Sequence, residues 1–316
     1  MQEAEAKALR KAIILTLAYH GALEAPLTVP QIDRYLFGPP SGEIFSLASL
    51  RKAVLELKSK GLVQGEKGFY WIKGAFPAKK RLWVSLLQKE KISSQKINLA
   101  RQAVYLFSLI PFLRGIFLCG SVSRKTAKDE SDIDFLVLTE KKRVWFVRFF
   151  LTISAFLLGK KVSDSGSRKN KFCLNHYRGS GKEKLEKNLQ DFYSATEYGR
   201  MLNIFSPRQR EREFFKENAT WLKKILPNFD CEKPAIYHFP KLEKIGLIAE
   251  KILRGKLGDW LENFLKRIQL AKINWGKRAD LPTGRLVTKN NVIMFHLNPQ
   301  APRTMERFRK IVEKLQ

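Results

Sequence analysis

Asp132 and Asp134 stand one residue apart at the head of an apolar run, Phe135 to Leu138, and a second apolar run, Ile116 to Cys119, ends just upstream in Gly120-Ser121. Side chains on an extended strand alternate faces, so carboxylates two positions apart point the same way. The spacing predicts the two aspartates side by side on one edge of a sheet. Adjacent carboxylates repel and gain most by sharing a hard cation such as Mg²⁺. Gly120 lets backbone come close to a ligand, and the Ser121 hydroxyl with nearby N–H groups can hold a phosphate. A phosphate holder beside a Mg²⁺ holder is the minimum equipment for nucleotidyl transfer. Alone, an Asp-x-Asp is usually a solvated strand end and a Gly-Ser a turn. Together, each flanked by an apolar strand, they point to a site.

The rest of the chain must position these residues. Residues 81–110 and 142–158 read as helices before and after the two strands, and Phe172–Arg178 reads as a third strand. The apolar stretch 144–158 is too short to span a bilayer and contains Arg148; it is expected as a helix buried behind the sheet, with a monotopic membrane helix as the alternative. Further helices are expected over 183–204, 206–225, 240–272 and 302–315, with a β-like piece at 291–297. Upstream, residues 5–20 form an amphipathic helix and Thr28 can cap a second with Pro30 in its first turn. Leu47, Leu50, Val54 and Leu57 mark a third helix, which stops at Gly61 before a hairpin that turns at Gly65–Gly68. The fold class is α+β, divided as 1–76, a core over 77–205, and a mainly helical region over 206–316. Lys79-Lys80-Arg81 reads as a solvated junction.

The chain has 316 residues with 59 Lys+Arg against 30 Asp+Glu, a net charge of +29. Such a surface attracts polyanions: nucleic acid, nucleotides or an anionic membrane. Residues 1–78 hold 10 basic and 7 acidic side chains, whereas 141–187 hold 13 basic and 3 acidic, so the field concentrates beside the aspartates. Lys160, Lys161, Arg168, Lys169 and Lys171 could guide a polyanionic acceptor. Arg124 and Lys125, just past the Gly-Ser, are candidates for nucleotide phosphate. Three separated cysteines, Cys119, Cys173 and Cys231, read as buried thiols of a reducing, cytoplasmic compartment. The four histidines lack metal-ligand spacing, so zinc is not expected; His176 reads as structural and His296 carries no assignment. Glu3 and Glu5 spoil a signal-peptide reading of the N-terminus, and no transmembrane segment is expected.

The Gly120-Ser121 and Asp132-x-Asp134 constellation resembles the DNA polymerase β-type nucleotidyltransferase superfamily, closely over 115–139 and in strand–helix order over about 95–180. More loosely, the chain is similar to poorly characterised bacterial and archaeal nucleotidyltransferase domain proteins. The resemblance implies a nucleoside triphosphate as substrate, Gly120 and Ser121 at its phosphates, and Asp132 and Asp134 as Mg²⁺ ligands. It also implies a third carboxylate on a later strand. That position falls at or near Asn175, which is neutral, and Asp164 is the nearby upstream alternative. Residues 46–73 resemble the third helix and wing of a winged helix. There Arg51 and Lys52 would face DNA, or the module would serve dimerisation or a protein partner. Two functions follow as expectations. One is Mg²⁺-dependent transfer of a nucleoside monophosphate to a hydroxyl acceptor, such as RNA. The other is a non-catalytic winged-helix DNA-binding regulator with a degenerate, nucleotide-sensing core.

Overall fold

In the computed structural model, residues 3–38, 45–76, 82–161, 166–207, 210–230, 235–275, 285–287, 291–296 and 300–315 are described. Asp164, Cys231 and the Lys79–Arg81 junction lie outside them.

The N-terminal unit comprises α1 (Glu3–Ala22), β1 (Leu27–Thr28), α2 (Val29–Arg34), α3 (Leu47–Ser59), β2 (Val63–Glu66) and β3 (Phe69–Ile72). The Gln31 side chain accepts the Thr28 N–H at 2.9 Å, and Ser46 caps α3 by accepting the Ser49 N–H at 3.1 Å. Leu50, Val54 and Leu57 are buried against Leu9, Ile13 and Leu17, while Leu47 is half exposed. The strands form a small sheet in the order β1-β3-β2.

The central unit follows: α4 (Leu82–Phe107), β4 (Leu113–Leu118), α5 (Gly120–Ser123), β5 (Ile133–Thr139), α6 (Val144–Leu157), β6 (Phe172–Gly179), α7 (Phe192–Arg200), β7 (Leu202–Phe205) and α8 (Glu211–Ile225). After these come α9 (Pro240–Leu253), α10 (Lys256–Trp275), β8 (Arg285–Val287), β9 (Val292–His296) and α11 (Gln300–Glu313). The large sheet runs β7-β4-β5-β6-β9-β8. β5 and β6 are parallel, and α6 supplies the crossover that parallel pairing requires; the other pairs are antiparallel.

Three expectations are corrected. The helix expected over 183–204 is the shorter α7, because Leu202–Phe205 extends instead and pairs with β4 as an edge strand. The helix expected over 240–272 is two helices, broken at Gly255, whose φ of +81° only glycine adopts freely. And α6 is buried on one side only: Val147 and Leu151 face the core, whereas Phe156 and Leu157 are exposed. No helix among the described residues is long and apolar enough to cross a membrane.

Alternation along the strands sorts two cores. Ile116, Leu118, Phe135 and Val137 pack against α4 and α6, while Phe117, Leu136 and Leu138 pack against α7 and α8. α10 supplies the cap that α6 lacks in its own sequence: the Glu262 carboxylate accepts the Trp145 and Phe146 N–H groups at 3.0 and 2.8 Å. Glu250 of α9 takes the buried Arg114 guanidinium in a two-point pair at 2.7 and 2.9 Å. α11 returns to α1, where Phe308, Ile311 and Val312 pack on the N-terminal core.

Candidate nucleotide and metal site

Asp132 directly precedes β5 and Asp134 is its second residue. β5 is central, between β4 and β6, so the pair stands at the starting end of an interior strand rather than along a sheet edge. The reason is the run that follows: Phe135–Leu138 is apolar on both faces, and such strands are enclosed by neighbours. Asp134 shares its face with Leu136 and Leu138, the face covered by α7 and α8.

A buried lysine holds this strand end. Lys96 of α4 donates to the Asp129 and Ser131 carbonyls at 3.0 and 2.8 Å and to Asn170 Oδ1 at 2.8 Å. It thereby ties the approach to β5 and the turn before β6 to one helix. The Ile133 N–H donates to the Lys171 carbonyl at 2.8 Å and completes the join.

Asp132, Asp134 and Cys173 each offer one ligand atom, all within 4.8 Å of one another. Cys173 lies opposite Asp134 in the β5–β6 register. The expected third-carboxylate position, Asn175, is displaced from this pairing: a register irregularity sets Leu174 and Asn175 against Phe135 alone. Burial, then the neighbouring Asp132 charge, pushes the Asp134 carboxyl up to about 7. Burial, then Asp134 and Asp132, pushes the Cys173 thiol up. Two carboxylates this close, one held partly protonated by desolvation, fit a divalent cation between them. The third atom is sulfur, a donor that hard cations do not select.

The Gly-Ser turn sits against the same carboxylates. Gly120 has φ +67°, and a Cβ there would lie 2.6 Å from Asp134 Oδ2. Ser121 is half-buried, and its hydroxyl makes no hydrogen bond among the described residues. The Gly120 N–H donates to Glu197 Oε2 at 3.2 Å. Glu197, on α7, also forms an ion pair with the mostly buried Arg124. Lys125 is exposed and pairs with Glu90 at 2.7 Å. Both basic candidates after the Gly-Ser are thus engaged by the protein's own carboxylates.

Of the basic segment, the structure brings Arg168 to the aspartates, 3.5 Å from Asp132 Oδ2. Lys169 pairs with Asp129 at 2.6 Å, and Lys171 donates to the Gly159 carbonyl at 2.6 Å. The Lys160 carbonyl accepts the Phe172 N–H, and Lys161 bridges to Phe172, so both flank the start of β6 rather than the carboxylates. Arg51 and Lys52 are exposed on α3. The sequence reading did not reach Glu197, Lys96 or the place of Cys173. Glu197 lies 77 positions from Gly120 on an unremarkable amphipathic helix, so no local pattern marks it.

The N-terminal unit rests on the helix that carries Glu197. Tyr19 receives a hydrogen bond from Thr196 at 2.8 Å, Arg200 lies over the Tyr35 ring at 4.1 Å, and Asn228 donates to Asp33 at 3.0 Å.

Residues 107–227 match the family model described as a nucleotidyltransferase domain. The match runs from the end of α4 through β4, the Gly120 turn, β5, α6, β6, α7 and β7 to the end of α8. It supports the nucleotidyltransferase superfamily for this part of the chain, with nucleotidyl transfer as the general chemistry and a nucleoside triphosphate as the implied substrate. No curated protein and no solved structure matches the chain.

Proposed function

We propose that the chain transfers a nucleoside monophosphate from a nucleoside triphosphate to a hydroxyl on a nucleic acid, RNA foremost. The observation that carries this reading is the juxtaposition of Gly120 with Asp134, and of Asp134 with Asp132, inside the segment that matches the nucleotidyltransferase domain. Asp132 and Asp134 would hold Mg²⁺, which when bound neutralises the triphosphate and stabilises charge developing at the α-phosphate. Ser121 and the N–H groups of its turn hold the distal phosphates. Arg168, beside Asp132 and exposed, meets triphosphate oxygens at the mouth of the site. The acceptor hydroxyl attacks the α-phosphorus and pyrophosphate leaves. Lys160, Lys161, Lys169 and Lys171 line the approach of a polyanionic acceptor. The free Cys119 and Cys173 thiols suit a reducing cytoplasm.

The test is incubation with labelled nucleoside triphosphates and total RNA. Label transfer by the wild type, lost in Asp132→Asn and Asp134→Asn, supports the reading. Absence of any aspartate-dependent transfer overturns it.

A second reading is favoured by the neutral Asn175 at the expected third-carboxylate position and by a sulfur, from Cys173, as the third donor beside the aspartates. In it the core senses nucleotide without turnover, and the N-terminal unit acts as a winged helix that reads DNA through Arg51 and Lys52 on α3. The contact of Tyr19 and Tyr35 with α7 gives such a core a path to that unit. Sequence-selective DNA binding abolished by Arg51→Ala/Lys52→Ala, without turnover, would favour it.

A further inference from the structure

α9 and α10 meet the core through narrow inner faces. α9 turns Gly246 and Glu250 inward, and α10 turns Glu262, Leu265 and Gln269 inward. Their other sides carry large apolar side chains. Ile245, Ile248 and Ile252 follow helical spacing along α9; Leu257, Trp260, Phe264 and Ile268 do so along α10. These seven side chains are between 45 and 67 % exposed. Trp260 and Phe264 stack with ring centroids 5.4 Å apart and 6° between planes.

The charges on the same two helices are sorted. All seven of their lysines and arginines are exposed, and none makes an ion pair among the described residues. All four acids are engaged within the protein. Glu250 holds Arg114, Glu262 caps α6, Asp259 pairs with Arg143 at 2.7 Å, and Glu243 accepts the Phe239 N–H at 3.0 Å. The outward surface therefore combines large apolar side chains with cations and leaves no acid uncommitted.

We propose that the outward faces of α9 and α10 dock on an anionic phospholipid bilayer. Apolar and aromatic side chains beside lysines and arginines suit the boundary between headgroups and acyl chains, and anionic headgroups complement the cations. A second copy is disfavoured, because a two-fold interface would lay seven cations against seven. Nucleic acid would neutralise the cations but leave seven apolar side chains in water.

Sedimentation of the full chain with phosphatidylcholine vesicles, with and without phosphatidylglycerol, tests this. The wild type is expected to bind the phosphatidylglycerol vesicles and not the neutral ones. Trp260→Ser/Phe264→Ser, which preserves charge and alters only exposed side chains, is expected to weaken binding on the order of tenfold or more. Brominated lipid is expected to quench fluorescence in the wild type and less in Trp260→Phe. Equal binding by the wild type and Trp260→Ser/Phe264→Ser overturns the proposal by reducing the attraction to net charge alone. No vesicle binding, with a dimer that the same substitutions dissolve, overturns it in favour of a second copy. No vesicle binding, with RNA binding lost in those variants, overturns it in favour of nucleic acid.

Discussion

Gly120 and Asp134 share one volume: a side chain at position 120 would begin 2.6 Å from the Asp134 carboxylate. The backbone there is also left-handed, at φ +67°, which costs an L residue roughly 1–2 kcal/mol. Gly120→Ala is therefore expected to do two things. It lowers stability by about that amount in urea denaturation, and it displaces Asp134. A displacement of this kind typically costs on the order of a hundredfold in rate, so transfer should fall far more than stability does.

The Asp134 carboxyl, raised to about 7 from an ordinary value of 3.8, makes the metal-free protein pH-sensitive. The folded chain binds this proton more tightly than the unfolded chain. The stabilising contribution is thus complete below about pH 4 and is lost as pH rises through about 7. Metal-free wild type is expected to lose melting temperature over that window relative to Asp134→Asn, which keeps the shape and cannot ionise. Parallel curves for the two proteins would remove the effect.

Cys173 faces the pair where a hard donor would serve Mg²⁺ better. Cys173→Asp is expected to tighten Mg²⁺ binding on the order of tenfold by calorimetry, and to destabilise the metal-free protein by adding a third carboxylate. Unchanged or weaker Mg²⁺ binding would show that position 173 does not reach the cation.

Arg114, on β4, is buried with Glu250 bound at two points and Glu140 at 2.9 Å. Glu250→Ala removes the buried partner and leaves the guanidinium poorly compensated. The expected loss is about 3–5 kcal/mol in urea denaturation, without displacement of the aspartate pair some strands' length away. A loss under about 1 kcal/mol would mean that Glu140 alone suffices.

What was legible in the sequence was encoded locally. The two strands, the Gly-Ser turn and the aspartate pair lie within 23 residues, and strand alternation alone orients the carboxylates. What escaped depends on register and on distant packing. One extra residue in β6 sets Leu174 and Asn175 against Phe135 alone and so takes Asn175 out of the pairing, and nothing in Phe172–Arg178 announces that irregularity. Glu197 reaches Gly120 only because α7 lies across the same face of the sheet. Leu202–Phe205 follows a helix after one residue, and its apolar run suits either conformation; the open edge of β4 makes it a strand. Gly255 did carry a signal, a glycine inside a helical pattern, and there the chain turns.

The return of α11 to α1 gives the chain an order of assembly. The core around Leu9, Ile13 and Leu17 is finished by Phe308, Ile311 and Val312. During synthesis, this unit is made before α11 and therefore waits, with that apolar face uncovered, until roughly 230 further residues have been made after β3. α1 and α11 close this core together, so loss of the apolar side chains near residue 310 would uncover the core around Ile13.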